Sequence, residues 1–335
     1  MVSELGFGGI PIQRLSEEEA VRVVQRCLDL GVTFLDTANG YTTSEERIGK
    51  AIKGRREGLV LATKSGARDA GTCREHLELS FRRLGVDYID IFQFHNVSTE
   101  EHYQQIIAPG GLMEVAREAQ AAGRIGHIGV TSHNLDMAIK LVESGHFATL
   151  MFPFCLVAPE ALDRLIPLCR AHNVAFLAMK SMGGGLLEDA RLAFRWLRQF
   201  PDLLPVVGIQ TCQEIEQIVS VYGEPAQLSV ADQQEIERLR CEMDQRYCRS
   251  CDYCQPCPQD IRISTVLRMK SFAKRFPVER FFGEWGQPLV ARAEECQECG
   301  ECESRCPYHL PIRDMIKEHV AWYHEQLSLH RGRQS

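Results

Sequence analysis

The sequence predicts an α/β architecture: a (β/α)8 TIM barrel followed by a smaller, mainly helical domain. Three observations carry this. Short apolar runs alternate with segments of helical period eight times over roughly the first 220 residues. Those runs are apolar on both faces, as strands of a parallel sheet covered by helices must be. The composition then changes, and eight of the fourteen cysteines gather beyond Arg246.

The strand-like runs are Leu5 to Gly8, Thr33 to Asp36, Leu59 to Lys64, Ile89 to His95, Ile125 to Thr131, Thr149 to Phe154, Ala175 to Met179 and Pro205 to Ile209. Ser16 followed by Glu17, Glu18 and Glu19 opens the first helix, with serine as cap and acids in the first turn. Thr43 to Lys53, Thr72 to Leu84, Leu112 to Ala122, Asp136 to Ser144, Ala161 to Ala171, Ala190 to Phe200 and Gln213 to Tyr222 supply the others. Alternation alone also permits an open doubly wound sheet. A helical linker, Val230 to Arg246, follows. Ile263 to Phe276 reads as one helix, and the polar end, Leu327 to Ser335, as frayed. The resulting division is 1–225, 226–246 and 247–325.

Length and charge narrow the classes. The chain has 335 residues, 44% hydrophobic and 25% charged, which excludes a disordered chain. A net charge of −7 gives no electrostatic case for nucleic acid. No run is long and apolar enough for a membrane span, and no secretory leader is visible. Clustered rather than evenly spread cysteines point to metal ligation in a reducing cytoplasm.

Barrel enzymes place their chemistry where the strands end. There the chain offers Asp36 after the second strand, Lys64 closing the third and His95 closing the fourth, with Tyr41 in the loop beyond Asp36. A lysine beside a phenol stabilises the phenolate, and a carboxylate keeps that lysine charged. A histidine can donate to a substrate oxygen. Tyr41 is then placed to protonate a carbonyl as hydride arrives.

These segments resemble the aldo-keto reductases. Phe34-Leu35-Asp36-Thr37-Ala38-Asn39-Gly40-Tyr41, Leu61-Ala62-Thr63-Lys64 and Phe92-Gln93-Phe94-His95-Asn96 carry the likeness, with Leu5-Gly6-Phe7-Gly8-Gly9 and Gly129-Val130-Thr131-Ser132-His133. It covers about residues 1 to 225 and implies the tetrad Asp36, Tyr41, Lys64 and His95. It also implies that Thr131 and Ser132 hold a nicotinamide carboxamide. Where the family carries a glutamine and a stacking tyrosine, this chain has Met151 and Met179. Lys180 and the Gly183-Gly184-Gly185 run suit close approach to a pyrophosphate, or else form a mobile loop. Gly208 and Glu214 stand where members that use NADPH show a lysine and an arginine, which favours NADH. The hairpin that closes the barrel floor in many relatives has no counterpart before the first strand.

The cysteines form two groups. Cys248, Cys251, Cys254 and Cys257 precede Pro258; Cys296, Cys299, Cys302 and Cys306 precede Pro307. Three cysteines at intervals of three, then one before proline, is the run of a 4Fe–4S cluster, and eight ligands match two clusters. Four-cysteine zinc is the alternative. Resemblance to two-cluster ferredoxins implies that the fourth cysteine of each run serves the other cluster. That pairs Cys306 with Cys248, Cys251 and Cys254, and Cys257 with Cys296, Cys299 and Cys302. Between the runs, Arg268, Lys270, Lys274, Arg275 and Arg280 either attract an acidic electron-transfer protein or form a solvated face. Phe272, Phe276, Phe281, Phe282 and Trp285 are read as core.

The expectation is an oxidoreductase interconverting a small-molecule carbonyl and alcohol with nicotinamide, linked to electron transfer through the clusters. A hydride moves two electrons and a cluster one, so a flavin between them is considered. The competing class is a non-catalytic electron-transfer or redox-sensing protein that uses the barrel for binding.

Overall fold

The computed structural model describes residues 2–332. The chain divides into two compact units, Met1–Asp232 and Gln233–Ser335. The first is a closed barrel of eight parallel strands in sequence order: β1 (Gly6–Gly8), β2 (Phe34–Asp36), β3 (Val60–Ser65), β4 (Ile89–Phe94), β5 (Ile125–Thr131), β6 (Thr149–Pro153), β7 (Ala175–Met179) and β8 (Leu203–Gly208). Closure is made by β1 on β8, with Gly6 opposite Val206 and Gly8 opposite Gly208. Its helices are α1 (Glu17–Asp29), α2 (Ser44–Ile52), α3 (Ala70–Leu84), α4 (Glu100–Ile107), α5 (Leu112–Ala121), α6 (Leu135–Glu143), α7 (Leu165–Ala171), α8 (Ala190–Leu197) and α9 (Cys212–Tyr222).

Alternation along the strands sends every second side chain inward. Phe34, Ala62, Ile91, Met151, Leu177 and Val206 meet in the barrel interior. Gly129 has to be glycine here, because a Cβ would stand 2.2 Å from Thr149 Oγ1. Ser16 and Glu19 form the reciprocal cap that starts α1. Asp69 accepts from Thr72 N and starts α3 two residues before the expected Thr72. The helix α4 had no counterpart in the sequence reading; Thr99 caps it, and only Tyr103 and Ile106 of its eight residues are buried.

The second unit is helical. It comprises most of α10 (Val230–Asp244), then α11 (Ile263–Val266), α12 (Met269–Ala273), α13 (Val278–Phe282), α14 (Gly286–Glu294), α15 (Glu301–Ser304) and α16 (Ile312–Gly332). Two expectations are corrected. Ile263 to Phe276 is not one helix: it breaks at Leu267–Arg268. Ile263, Val266, Leu267 and Met269, on both sides of the break, are all buried in the core of this unit. The end is not frayed from Leu327, because α16 continues to Gly332; residues 333–335 lie outside the described residues. Phe272, Phe276, Phe281, Phe282 and Trp285 pack edge-to-face or tilted on one another and on Tyr323, as core.

Candidate active site and cysteine centres

The strand ends bring Asp36, Tyr41, Lys64 and His95 to the C-terminal mouth of the barrel. Lys64 is 1% exposed and Asp36 4%. Lys64 Nζ donates to Asp36 Oδ2 at 2.6 Å and to the Thr37 carbonyl at 2.6 Å. It lies 5.1 Å from the centre of the Tyr41 ring. Burial works against the Lys64 ammonium, but Asp36 and the hydrogen-bonded Tyr41 phenol outweigh it and hold the group above the ordinary lysine range. Burial also raises the Asp36 carboxyl, which Lys64 and then Gln93 counter only in part.

Gln93 was given no role by the sequence reading. It is fully buried, and its Nε2 donates to Asp36 Oδ1 at 3.1 Å. The available signal was period two: Gln93 stands two residues before His95 and therefore on the same inward face.

The Tyr41 loop hangs on β3. Thr37 N donates to the Ala62 carbonyl at 2.9 Å, Asn39 N to the Lys64 carbonyl at 2.9 Å, and Tyr41 N closes a turn on Ala38. Lysine and tyrosine are thus fixed by one piece of backbone. Tyr41 and His95 are each largely but not fully buried, with rings edge-to-face at 5.8 Å. Burial, then the Lys64 and Arg68 charges, push the His95 imidazole down to about 3, so it is neutral at ordinary pH. Arg68, also unassigned from sequence, donates to the carbonyls of His95 and Asn96, each at 3.1 Å, and braces the end of β4.

The residues expected to hold a nicotinamide lie on neighbouring loops. Thr131 and Ser132 are buried at the end of β5. Thr131 Oγ1 accepts from Asn96 N at 2.8 Å, and Ser132 Oγ bonds with the backbone of Asn134. Met179 ends β7 beside the inner core, whereas Met151 is wholly inside it. Beyond Met179, Lys180, Gly183, Gly184 and Gly185 take φ of 61°, 57°, 74° and 89°, a left-handed run that glycine adopts without strain. Gly208 ends β8, where a Cβ would lie 2.8 Å from Pro11 Cγ. The Glu214 carboxylate accepts from Gln210 N at 2.7 Å and Thr211 N at 3.2 Å, closing the start of α9.

The cysteines fall into two quartets around two cavities. Cys248, Cys251, Cys254 and Cys306 line one of about 20 Å³. Cys257, Cys296, Cys299 and Cys302 line one of about 200 Å³, which Cys254 also borders. Each quartet takes three cysteines from one run and one from the other. Cys254 and Cys306 are buried, whereas Cys299 is exposed. Burial pushes the Cys251 and Cys302 thiols up to about 11 and the Cys254 thiol further still. Thiols gathered in that state would release their protons to solvent on binding a metal centre as thiolates. The donor set is all sulfur and fits a 4Fe–4S centre. Among the described residues, no group of His, Cys, Asp or Glu side chains is drawn in tightly enough to hold a single metal ion.

Fold and site together define a parallel (β/α)8 barrel with a buried Asp–Lys pair beneath a tyrosine and a neutral histidine, joined to a cysteine-rich helical unit. Residues 4–193 match the aldo/keto reductase family and residues 247–311 match a 4Fe-4S dicluster domain. The chain belongs to the aldo/keto reductase family and carries a C-terminal 4Fe–4S dicluster domain. It is 32% identical over 209 residues to aldo-keto reductase str7 of Strobilurus tenacellus, covering 56% of this chain and 60% of that one. It is 28% identical over 205 residues to the uncharacterized oxidoreductase YqkF of Bacillus subtilis (strain 168), covering 57% and 64%. The chain therefore spans less than two thirds of the length of these curated relatives. An aldo-keto reductase from Bacillus halodurans, in its holo form, shares the fold at TM-score 0.61 and 23% identity, over 71% of this chain and 92% of that one. One from Klebsiella pneumoniae in complex with NADPH shares it at 0.62 and 22%, over 71% and 91%. No helix among the described residues is long and apolar enough to cross a membrane.

Proposed function

We propose that the barrel interconverts a carbonyl and an alcohol on a small molecule, with nicotinamide as its redox partner, and that the dicluster domain carries electrons. One observation supports this above the others: Tyr41 stands, largely but not fully buried, at the barrel mouth over a buried Lys64–Asp36 pair. A bound nicotinamide would supply the hydride, and bound clusters would supply one-electron transfer. The chain's own residues handle the proton. Tyr41 Oη gives its proton to the carbonyl oxygen, and the Lys64 ammonium stabilises the phenolate that remains. Asp36, braced by Gln93, keeps that ammonium charged in its buried position. His95 is neutral and donates a hydrogen bond to the same oxygen without itself surrendering a proton.

Thr131, Ser132, Met179, Lys180, Gly183, Gly184 and Gly208 are the residues proposed to border the nicotinamide. NADH is favoured over NADPH, because Glu214 already occupies the amides at the start of α9 that an additional phosphate would seek. Two 4Fe–4S clusters are assigned to the two quartets, and a flavin is the cofactor class that would join hydride to one-electron transfer. A reducing compartment, the cytoplasm, suits the free thiols.

A second reading keeps the barrel as a binding module of a redox-sensing protein. The internal hydrogen bonds of Thr131 and Ser132, and the methionines at 151 and 179, favour it. Tyr41→Phe separates the two. With the iron content unchanged, a fall in nicotinamide-linked carbonyl turnover of about 10²-fold or more supports the enzyme. Absence of such turnover in the unmodified protein, or a biological function that the substitution leaves unchanged, supports the module.

A further inference from the structure

The two cysteine cavities differ in the charges that border them. The cavity of Cys248, Cys251, Cys254 and Cys306 is also lined by Arg249 and Asp252. The Arg249 side chain is only 10% exposed. Its Nη1 donates to the carbonyls of Asp244 at 3.2 Å and Tyr247 at 2.8 Å. The guanidinium lies 4.3 Å from the centre of the Tyr308 ring and 5.5 Å from that of Tyr247. Two carbonyls and two aromatic faces thus hold the cation in place. The Asp244 carboxylate is 3.8 Å from Nη2 and 66% exposed, where water and salt screen it. At the other cavity the bordering charges cancel at close range: Arg313 is bound to Glu303 at 2.7 Å, and Glu301 to Arg305.

We infer that Arg249 sets the reduction potential of the cluster held by Cys248, Cys251, Cys254 and Cys306 and leaves the other cluster untouched. The inference rests on the assignment of two clusters to the two quartets. Reduction adds one electron and no proton, so the cluster gains one negative charge. A fixed cation held against Tyr247 and Tyr308, which lie within two residues of the ligands Cys248 and Cys306 in sequence, favours that reduced state, and a charge so close acts far more strongly than one across the domain. Asp252, on the same wall, acts in the opposite sense.

The experiment is an anaerobic potentiometric measurement on the full-length, cluster-loaded protein. Dithionite is the reductant, and electron paramagnetic resonance is the readout. Arg249→Gln is expected to lower one of two midpoint potentials, Arg249→Lys to keep it near its original value, and Asp252→Asn to raise that same one. If Arg249→Gln does not retain its iron, Arg249→Met takes its place with the same expectation. Potentials that do not move, or two that move together, overturn the inference. Iron and sulfide below two clusters in the unmodified chain would instead overturn the cluster assignment itself.

Discussion

Replacing Lys64 with methionine tests whether the Lys64–Asp36 pair is the electrostatic centre of the barrel mouth. Methionine keeps most of the volume and removes the charge, leaving Asp36, 4% exposed, facing its own desolvation with only Gln93 as donor. Lys64 lowers the Asp36 carboxyl in the native protein, so its loss moves that group further above the unfolded value of about 3.9. The folded state then prefers the protonated acid. Below about pH 4 both states are protonated and the variant carries no ionic penalty. As pH rises, the unfolded chain ionises and the folded one does not, which costs about 1.4 kcal/mol per pH unit. At pH 7 the deficit is expected to be about 3–5 kcal/mol, the cost of stripping one partner from a buried pair. Anaerobic urea unfolding of the full chain, followed by far-ultraviolet circular dichroism at several pH values, measures it. The deficit of the variant should grow from pH 4 to pH 7, and a further Asp36→Asn should remove the pH dependence. A Lys64→Met protein as stable as the parent at pH 7, or a deficit independent of pH, would refute the reasoning.

Other outcomes follow from the same geometry. His95 is pushed down to about 3, so the folded protein resists protonating it while the unfolded chain accepts a proton near pH 6.5. Its contribution to stability is present above about 6.5 and is lost as pH falls towards 3; His95→Gln should make unfolding less acid-sensitive across that window, and equal sensitivity would contradict the assignment. If the quartets cross between runs, Cys306→Ser should remove the cluster of Cys248, Cys251 and Cys254, and Cys257→Ser that of Cys296, Cys299 and Cys302. Resonance spectra of the two variants should then be complementary, and loss of the cluster belonging to the mutated residue's own run would disprove the crossing.

Much of the barrel is legible because a parallel sheet buried on both faces must be written as continuous apolar runs, and turns and caps punctuate them. Asp36, Lys64 and His95 stand out because charged or titratable residues close three such runs. Gln93 and Arg68 do not, since what gives them a role is spatial: a carboxylate 57 residues away in one case, and two backbone carbonyls in the other. The short helix α4 is hidden by polarity, with two buried positions in eight residues. The break at Leu267–Arg268 is hidden for a different reason. No glycine or proline stands between Ile263 and Phe276 to mark it.

The crossed arrangement of the cysteines also bears on the order of events at the ribosome. The quartet that begins at Cys248 is completed only by Cys306, and the one that includes Cys257 waits for Cys296, Cys299 and Cys302. If each quartet holds a cluster, a nascent chain that has released the barrel and the first cysteine run still lacks a full ligand set for either one.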